Sequence, residues 1–376
     1  MKCIYCDFYS VVDRDNQIPI FVRQLIEEFR KYPPPRDQYA GVETIYLGGG
    51  TPSMLSGEQV RRLLKAVGQH LPVADNAEIT LEANPGEVDC TRLQAYRDVG
   101  VNRMSFGLQS FHDTHLELLG RYHHSGQNRQ SVRMAREAGF SNLNVDLIFR
   151  LPDETPGQLE SDLDHMLALE AEHLSIYSLT VEPRTPLHRY VEEGSIRIPS
   201  DEMDAEMYRL IRRRVTDAGF QHYEISNFAR PGFRSRHNSN YWNGTHYYGY
   251  GPSAHSYNGE ERWWNVRDLG RYFQRMDSGE SPVEQRELLD DFMRRREYLL
   301  TRLRTDQGLD RYEWKKNFSA ALPEKLERYF RQLNEEHPGW VRETDRGWRL
   351  TGEGWLFADT VIEQSIDRVE KLFELR

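Results

Sequence analysis

The sequence predicts an α/β protein: a parallel sheet followed by a smaller helical domain. Three observations lead there. The chain of 376 residues exceeds the usual size of one domain. Short β-rich runs alternate with helical patterns before about Ala229, which means βαβ units and a parallel sheet. Beyond about Glu284 the strands give way to helices and a hairpin-like segment.

The predicted strands lie in ETIYLGGG, AEITLEANP, VNRMSFGLQ, LNVDLIFRLP and HLSIYSLTVEP. After the first, SGEQVRRLLKAVGQHL opens on Ser56 with Gln59 three residues on, a capping box. Val60, Leu63, Leu64, Val67 and Leu71 then recur with helical period. Further helices are predicted from Asn128 to Ala138, Pro156 to Leu169 and Glu202 to Ala218, with Gly139 and Gly219 as stop signals. Four strands end in glycine or a polar residue: Gly48-Gly49-Gly50-Thr51, Glu82, Gln109 and Asp146. In parallel sheets and barrels the carboxyl ends of the strands carry the ligand site, so these groups are expected to converge on one mouth.

The stretch RPGFRSRHNSNYWNGTHYYGYGPSAHSYNGEERWW has little periodicity and is dense in Gly, Asn, Tyr, Trp and His. It predicts an ordered, loop-rich segment over the barrel. RELLDDFMRRREYLLTRL and PEKLERYFRQLNEEH, followed by WVRETDRGWRLTGEGWLFAD, predict a small winged-helix-like domain. The expected organisation is therefore 1–228, 229–283 and 284–376.

Lys+Arg 49 against Asp+Glu 59 leaves a net charge of −10, a poor basis for nucleic-acid binding by phosphate neutralisation. No stretch approaches the roughly 18 apolar residues of a membrane helix and no signal-peptide pattern opens the chain, so the expected address is cytoplasmic. Cys3, Cys6 and Cys90 cannot build a disulfide framework.

Three motifs carry chemistry. CIYC, with Cys3 and Cys6, is compatible with half of a zinc site, a thioredoxin-like pair or part of an iron–sulfur site; a second zinc-ligand pair and the strand that precedes a thioredoxin motif are both missing. LGGGTP permits close backbone approach to a ligand but lacks the lysine of a P-loop and the spacing of a dinucleotide site. In HNSNYW and GYGPSAHSY, His237 and His255 either bridge loop backbones or serve a flat apolar ligand, since neutral imidazole is a good iron ligand.

CIYCDF, IYLGGGTPS, LEANP, SFGLQSF, LGRYH, NVDLIFRLP, HNSNYW and LTGEGW follow one another along essentially the whole chain. This string resembles the radical S-adenosylmethionine (SAM) proteins of the oxygen-independent coproporphyrinogen III oxidase-like group, and within it the HemW-type haem chaperones. The resemblance implies a partial (β/α)6 radical SAM barrel, here lacking its first strand. It implies three cofactors: a [4Fe–4S] cluster, SAM and haem. The family's cluster motif is C-x-x-x-C-x-x-C, and Cys3 and Cys6 look like its second and third ligands. The first ligand falls before Met1, so the expectation is either an upstream strand and cysteine beyond a misassigned start or a chain whose cluster site is crippled. Tyr5 is similar to the aromatic whose backbone meets the SAM adenine, and Gly49, Gly50 and Thr51 to the loop that binds the SAM amino group. Glu82, Gln109, Arg121 and Asp146 match the remaining SAM contacts. Carboxylates suit the cationic parts and ribose hydroxyls of SAM, and Arg121 suits its carboxylate.

His237, in HNSNYW, looks like a haem-contacting residue. Phe8 stands where the oxidases carry a further cysteine, so decarboxylation of coproporphyrinogen III is the alternative and not the expected activity, and no catalytic residue is assigned. The resemblance further implies haem transfer to an acceptor protein, membrane association only through that acceptor, no nucleic-acid partner, and an oligomeric state tied to the cluster. Arg150 and Asp153 depart from the family, which has glycines in that turn, and put the shape of the loop beyond Asp146 in question.

Overall fold

A computed structural model of the chain describes residues 3–11, 14–36 and 38–370. The alternating runs become five parallel strands, β1 (Val42–Leu47), β2 (Val73–Ala83), β3 (Arg103–Gln109), β4 (Leu143–Phe149) and β5 (His173–Ser178). Helix α1 (Ile18–Lys31) precedes them. The crossovers carry α2 (Gly57–His70), α3 (Cys90–Asp98), α4 (Asp113–Leu118), α5 (Ser125–Glu137) and α6 (Pro156–Leu167). After β5 come α7 (Pro186–Glu192) and α8 (Asp201–Asp217), then β6 (Gln221–Glu224) and β7 (Asn227–Ala229). β7 sits antiparallel between β5 and β6, giving the order β1-β2-β3-β4-β5-β7-β6. The capping box of α2 forms as the sequence predicts: Gln59 N donates to Ser56 Oγ (3.3 Å) and Ser56 N to Gln59 Oε1 (2.8 Å).

Register decides what the sheet does. Side chains alternate across a strand, so residues paired on neighbouring parallel strands share a face. Leu81 pairs with Met104, and Phe106 with Val145, which pairs with Leu174. All five belong to the main core, together with Val60, Leu93, Val132, Leu163 and Ile211 of the surrounding helices. The opposite face is polar. Tyr46, Thr80 and Arg103 form one row; Glu82, Ser105, Asn144 and His173 the next; Gly107, Asp146 and Ser175 a third. A closed parallel barrel usually fills its interior with branched apolar side chains. Here the concave face is polar and encloses a cavity of about 1700 Å³.

The segment expected to be loop-rich holds helix α9 (Arg236–Asn243) and α10 (Leu269–Ser278). It also holds an antiparallel sheet of β8 (His255–Tyr257), β9 (Glu261–Asn265) and β10 (Val283–Leu288), so its last strand runs past residue 283. Asn258-Gly259 in SYNGEE turns this hairpin, with Gly259 at φ +92° and Asn258 Oδ1 accepting from Glu261 N (2.7 Å). Glu28 of α1 ties the segment down. It is 2% exposed and accepts from Gly251 N (2.8 Å), Asn265 Nδ2 (2.6 Å) and Tyr272 Oη (2.7 Å).

The terminal domain consists of α11 (Asp291–Arg302), β11 (Leu309–Asp310), α12 (Arg311–Phe318), α13 (Glu324–Glu336), β12 (Val341–Glu343), β13 (Gly347–Leu350) and α14 (Ala358–Glu370). Trp314, Phe330 and Trp348 fill its core. Glu353 joins it to α8 through Arg209 (3.0 Å) and Arg212 (3.1 Å). Among the described residues, no helix is long and apolar enough to cross a membrane.

Candidate functional site

The glycine run after β1 bends over the carboxyl end of β2. A Cβ on Gly48 would stand 2.4 Å from the Tyr46 ring, so this position has no room for a side chain. Gly49 adopts φ +115° and faces open space, and its N–H donates to Glu82 Oε2 (3.0 Å). Tyr46 Oη donates to Glu82 Oε1 (2.6 Å). Burial raises the Glu82 carboxyl above its ordinary range, and these two donors oppose the rise. Across the cavity, burial first and the Glu82 charge second push Asp146 up to about 6, while Asn144 Nδ2 donates to it (2.7 Å). Gly49, Gly50, Thr51, Glu82, Asp146 and His237 all line the cavity.

Cys3, Tyr5, Cys6, Gln109 and Arg121 lie beside the cavity without lining it. The CIYC turn closes through Cys6 N to Cys3 O (3.3 Å), and is pinned by Ile4 N to Leu119 O (3.2 Å) and Leu187 N to Ile4 O (3.0 Å). Both thiols are free and half-buried. Arg121 Nη1 donates to Cys3 Sγ (3.7 Å). Its Nη2 bonds Gly107 O, while its buried Nε has no partner. Gln109, at φ +69°, turns its amide onto the same glycine: a Cβ on Gly107 would lie 2.6 Å from Arg121 Nη2 and 2.8 Å from Gln109 Nε2. Since Gly107 pairs with Asp146, the two groups are contiguous. Burial raises the Tyr5 phenol, with Arg121 opposing it and Cys3, Cys6 and Asp146 adding to it, so Tyr5 sits among all four. Cys90 stands apart on α3, donating to Glu137 (3.6 Å).

His237 belongs to the first turn of α9, whose N-terminus rests on a carboxylate. Glu78 of β2 accepts from Arg236 N (3.0 Å) and His237 N (2.9 Å), where a negative charge is favourable. The imidazole stacks on Tyr46 with ring centroids 4.8 Å apart, so one tyrosine touches both His237 and Glu82. Both ring nitrogens have partners: Nδ1 lies 2.9 Å from Thr44 Oγ1, and Nε2 lies 3.0 Å from Tyr241 Oη. Burial lowers the His237 pKa to about 4, leaving a neutral ring at neutral pH. Ligation through Nε2 requires Tyr241 to swing away, and that side chain is exposed. His255 is exposed and stacks on Trp264.

The turn after β4 keeps the backbone that glycines would give. Arg150 and Asp153 have φ +63° and +57°. Arg150 offsets the cost through Asp201 (2.6 Å) and Asp204 (3.2 Å). The loop therefore holds its left-handed geometry without glycine. Sequence reasoning missed Tyr46, Glu78 and the inward polar rows. Their signal was the alternation in ITLE and RMSFGLQ, which a strand buried by helices on both faces would not show.

Residues 1–166 match the Radical SAM superfamily. The chain is 33% identical over 360 residues to the heme chaperone HemW of Bacillus subtilis, covering 96% of this chain and 94% of that protein. It is 35% identical over 366 residues to the heme chaperone HemW of Lactococcus lactis, covering 96% and 93%. The chain belongs to the HemW family. Coproporphyrinogen III oxidase HemN from Escherichia coli shares the fold, with a TM-score of 0.79 at 23% identity over 98% of this chain and 87% of that one. Radical SAM membership brings a [4Fe–4S] cluster and SAM. In this HemW-family chain Cys3 and Cys6, beside the Arg121 guanidinium, would supply two of the three thiolates of the cluster motif, and an unpartnered Arg121 Nε and a glycine loop open to the cavity fit SAM.

Proposed function

We propose that this chain is a haem chaperone that binds haem in the barrel cavity and hands it to an apo-acceptor protein. The observation that carries this reading is the placement of a neutral imidazole, His237, on the wall of a cavity of about 1700 Å³ that Gly49, Gly50, Thr51, Glu82 and Asp146 also line. The identity to HemW relatives over nearly the whole chain supports it. Cys3 and Cys6 would supply thiolates to the cluster; Glu82, Gln109, Arg121, Asp146 and the Gly49–Thr51 loop would hold SAM, with Tyr5 against its adenine. A cluster held there would supply one-electron reducing chemistry beside SAM. The protein's own residues position SAM against the haem pocket: Tyr46 bonds Glu82 on one side and stacks on His237 on the other. The chain works in the cytoplasm, reaches membranes only through its acceptor, and changes oligomeric state with cluster loading.

The test is an anaerobic haem titration followed by the Soret band on wild type, His237→Ala and Tyr241→Phe. Saturation near one haem per chain is expected, with the band shifted or lost in His237→Ala. Tyr241→Phe should tighten binding, because it removes the hydroxyl that occupies Nε2. Absence of saturable binding by cluster-loaded protein would overturn the reading, as would turnover of coproporphyrinogen III to protoporphyrinogen.

A further inference from the structure

We infer that Arg103 is a carboxylate-binding residue of the barrel cavity, anchoring an anionic arm of the bound ligand. Arg103 opens β3 on the polar face, in the row of Tyr46 and Thr80. It is 2% exposed, yet it lines the cavity. Its Nε has no hydrogen-bond partner, and no carboxylate among the described residues forms an ion pair with it. The hydroxyl of Thr80, its neighbour in register, is buried and equally without a partner. A buried guanidinium without a counter-ion is costly, so native structures almost always pair it.

The nearby acids are already engaged. Glu78 caps α9, Glu82 accepts from Tyr46 and Gly49, and Asp146 accepts from Asn144. Glu82 and Asp146 feel the Arg103 charge, which acts to lower both carboxyls, but neither forms an ion pair with it, so its Nε is left without an acceptor that a ligand could supply. Guanidinium geometry matches a carboxylate through two parallel hydrogen bonds. The cavity exceeds the roughly 300 to 1000 Å³ that suits a drug-sized ligand. Its aromatic wall of Tyr46, Tyr177 and His237 suits a flat ring system. A tetrapyrrole bearing propionates has both properties, and this assignment rests on the haem reading above. SAM offers the same chemistry in its α-carboxylate, so the experiment must separate the two sources.

The full chain is titrated with haem, with haem dimethyl ester and with SAM, as wild type, Arg103→Gln and Arg103→Lys. Wild type should bind haem about tenfold more tightly than the diester. Arg103→Gln should lose that tenfold preference while its affinity for the diester stays the same, and Arg103→Lys should keep part of it. A purely structural arginine would weaken haem and diester alike, and that result overturns the proposal. A wild type that does not distinguish haem from its diester sinks the propionate assignment even if the variants fail to fold. Loss of SAM affinity in Arg103→Gln, with haem unaffected, supports the carboxylate site but assigns it to SAM. If wild type binds no haem, the chaperone reading falls, and the SAM titration alone then decides Arg103: unchanged SAM binding overturns the proposal.

Discussion

The two faces of the central sheet are built from the same strands and do opposite work. On β3, Met104, Phe106 and Leu108 are fully buried in the main core, while Arg103 and Ser105 line the cavity and Gly107 shares their face. On the outer face Leu81, Met104, Phe106, Val145 and Leu174 pack into the main core. On the inner face Glu82, Asn144, Asp146 and His173 have hydrogen-bond partners, whereas Arg103 Nε and the Thr80 hydroxyl have none. The outer face thus holds the fold, and the inner face is a binding surface whose satisfaction is incomplete without a ligand. Neighbouring positions on one strand should therefore respond to substitution in opposite ways.

Phe106→Ala should cost most, about 4 kcal/mol of stability read from urea unfolding, because it opens a cavity in a dry core. Ser105→Ala beside it loses one hydrogen bond from Asn144 Nδ2, about 1 kcal/mol. Equal losses at the two positions would break the comparison between faces. Glu28→Ala comes next at about 3 kcal/mol, since it strands three buried donors. Its loss should appear as faster proteolysis within 229–288, where those donors lie.

The fold was legible where periodicity was strong. The five parallel strands, the Ser56 box and the stops at Gly139 and Gly219 all follow from local sequence. Helix α9 was not, because HNSNYW is rich in residues that form helices poorly; it is held by the Ser235 cap and by Glu78, a strand residue far away in sequence. The role of Glu28 is equally tertiary: three donors from α10, β9 and the loop before β8 select a charged residue that reads, in sequence, as an ordinary helix surface. The polar ends of β1, β2 and β4 were readable and do meet in one cavity. Gln109 and Arg121 turn instead onto Gly107, because a left-handed φ at Gln109 redirects its side chain.

Asp146 offers a pH-dependent contrast between the faces. Folding raises its pKa from 3.8 to about 6, so between those values the folded protein keeps a proton that the unfolded chain has released. Stability then falls as pH climbs through that window, by about 3 kcal/mol from this group, and stays lost above it. Asp146→Asn should accordingly melt higher than wild type at pH 7.5 and close to it at pH 4. A melting difference that does not vary with pH would mean that Asp146 stays charged in the folded protein.

The smallest stability effects belong to the glycine loop, and they isolate binding from folding. Gly49→Ala forces an L side chain to φ +115° and should cost about 1 kcal/mol although the space around it is empty. Gly50 has an ordinary backbone, and a methyl there would meet only Ser10 Cβ at 3.8 Å. Gly50→Ala should therefore melt within about 0.5 kcal/mol of wild type. If the loop backbone carries the amino group of SAM, that same methyl projects into the ligand's space, and SAM titration should show weakened binding by an unaltered fold. A Gly50→Ala protein that both melts and binds SAM like wild type would remove this loop from the site and leave Glu82 and Asp146 to account for it.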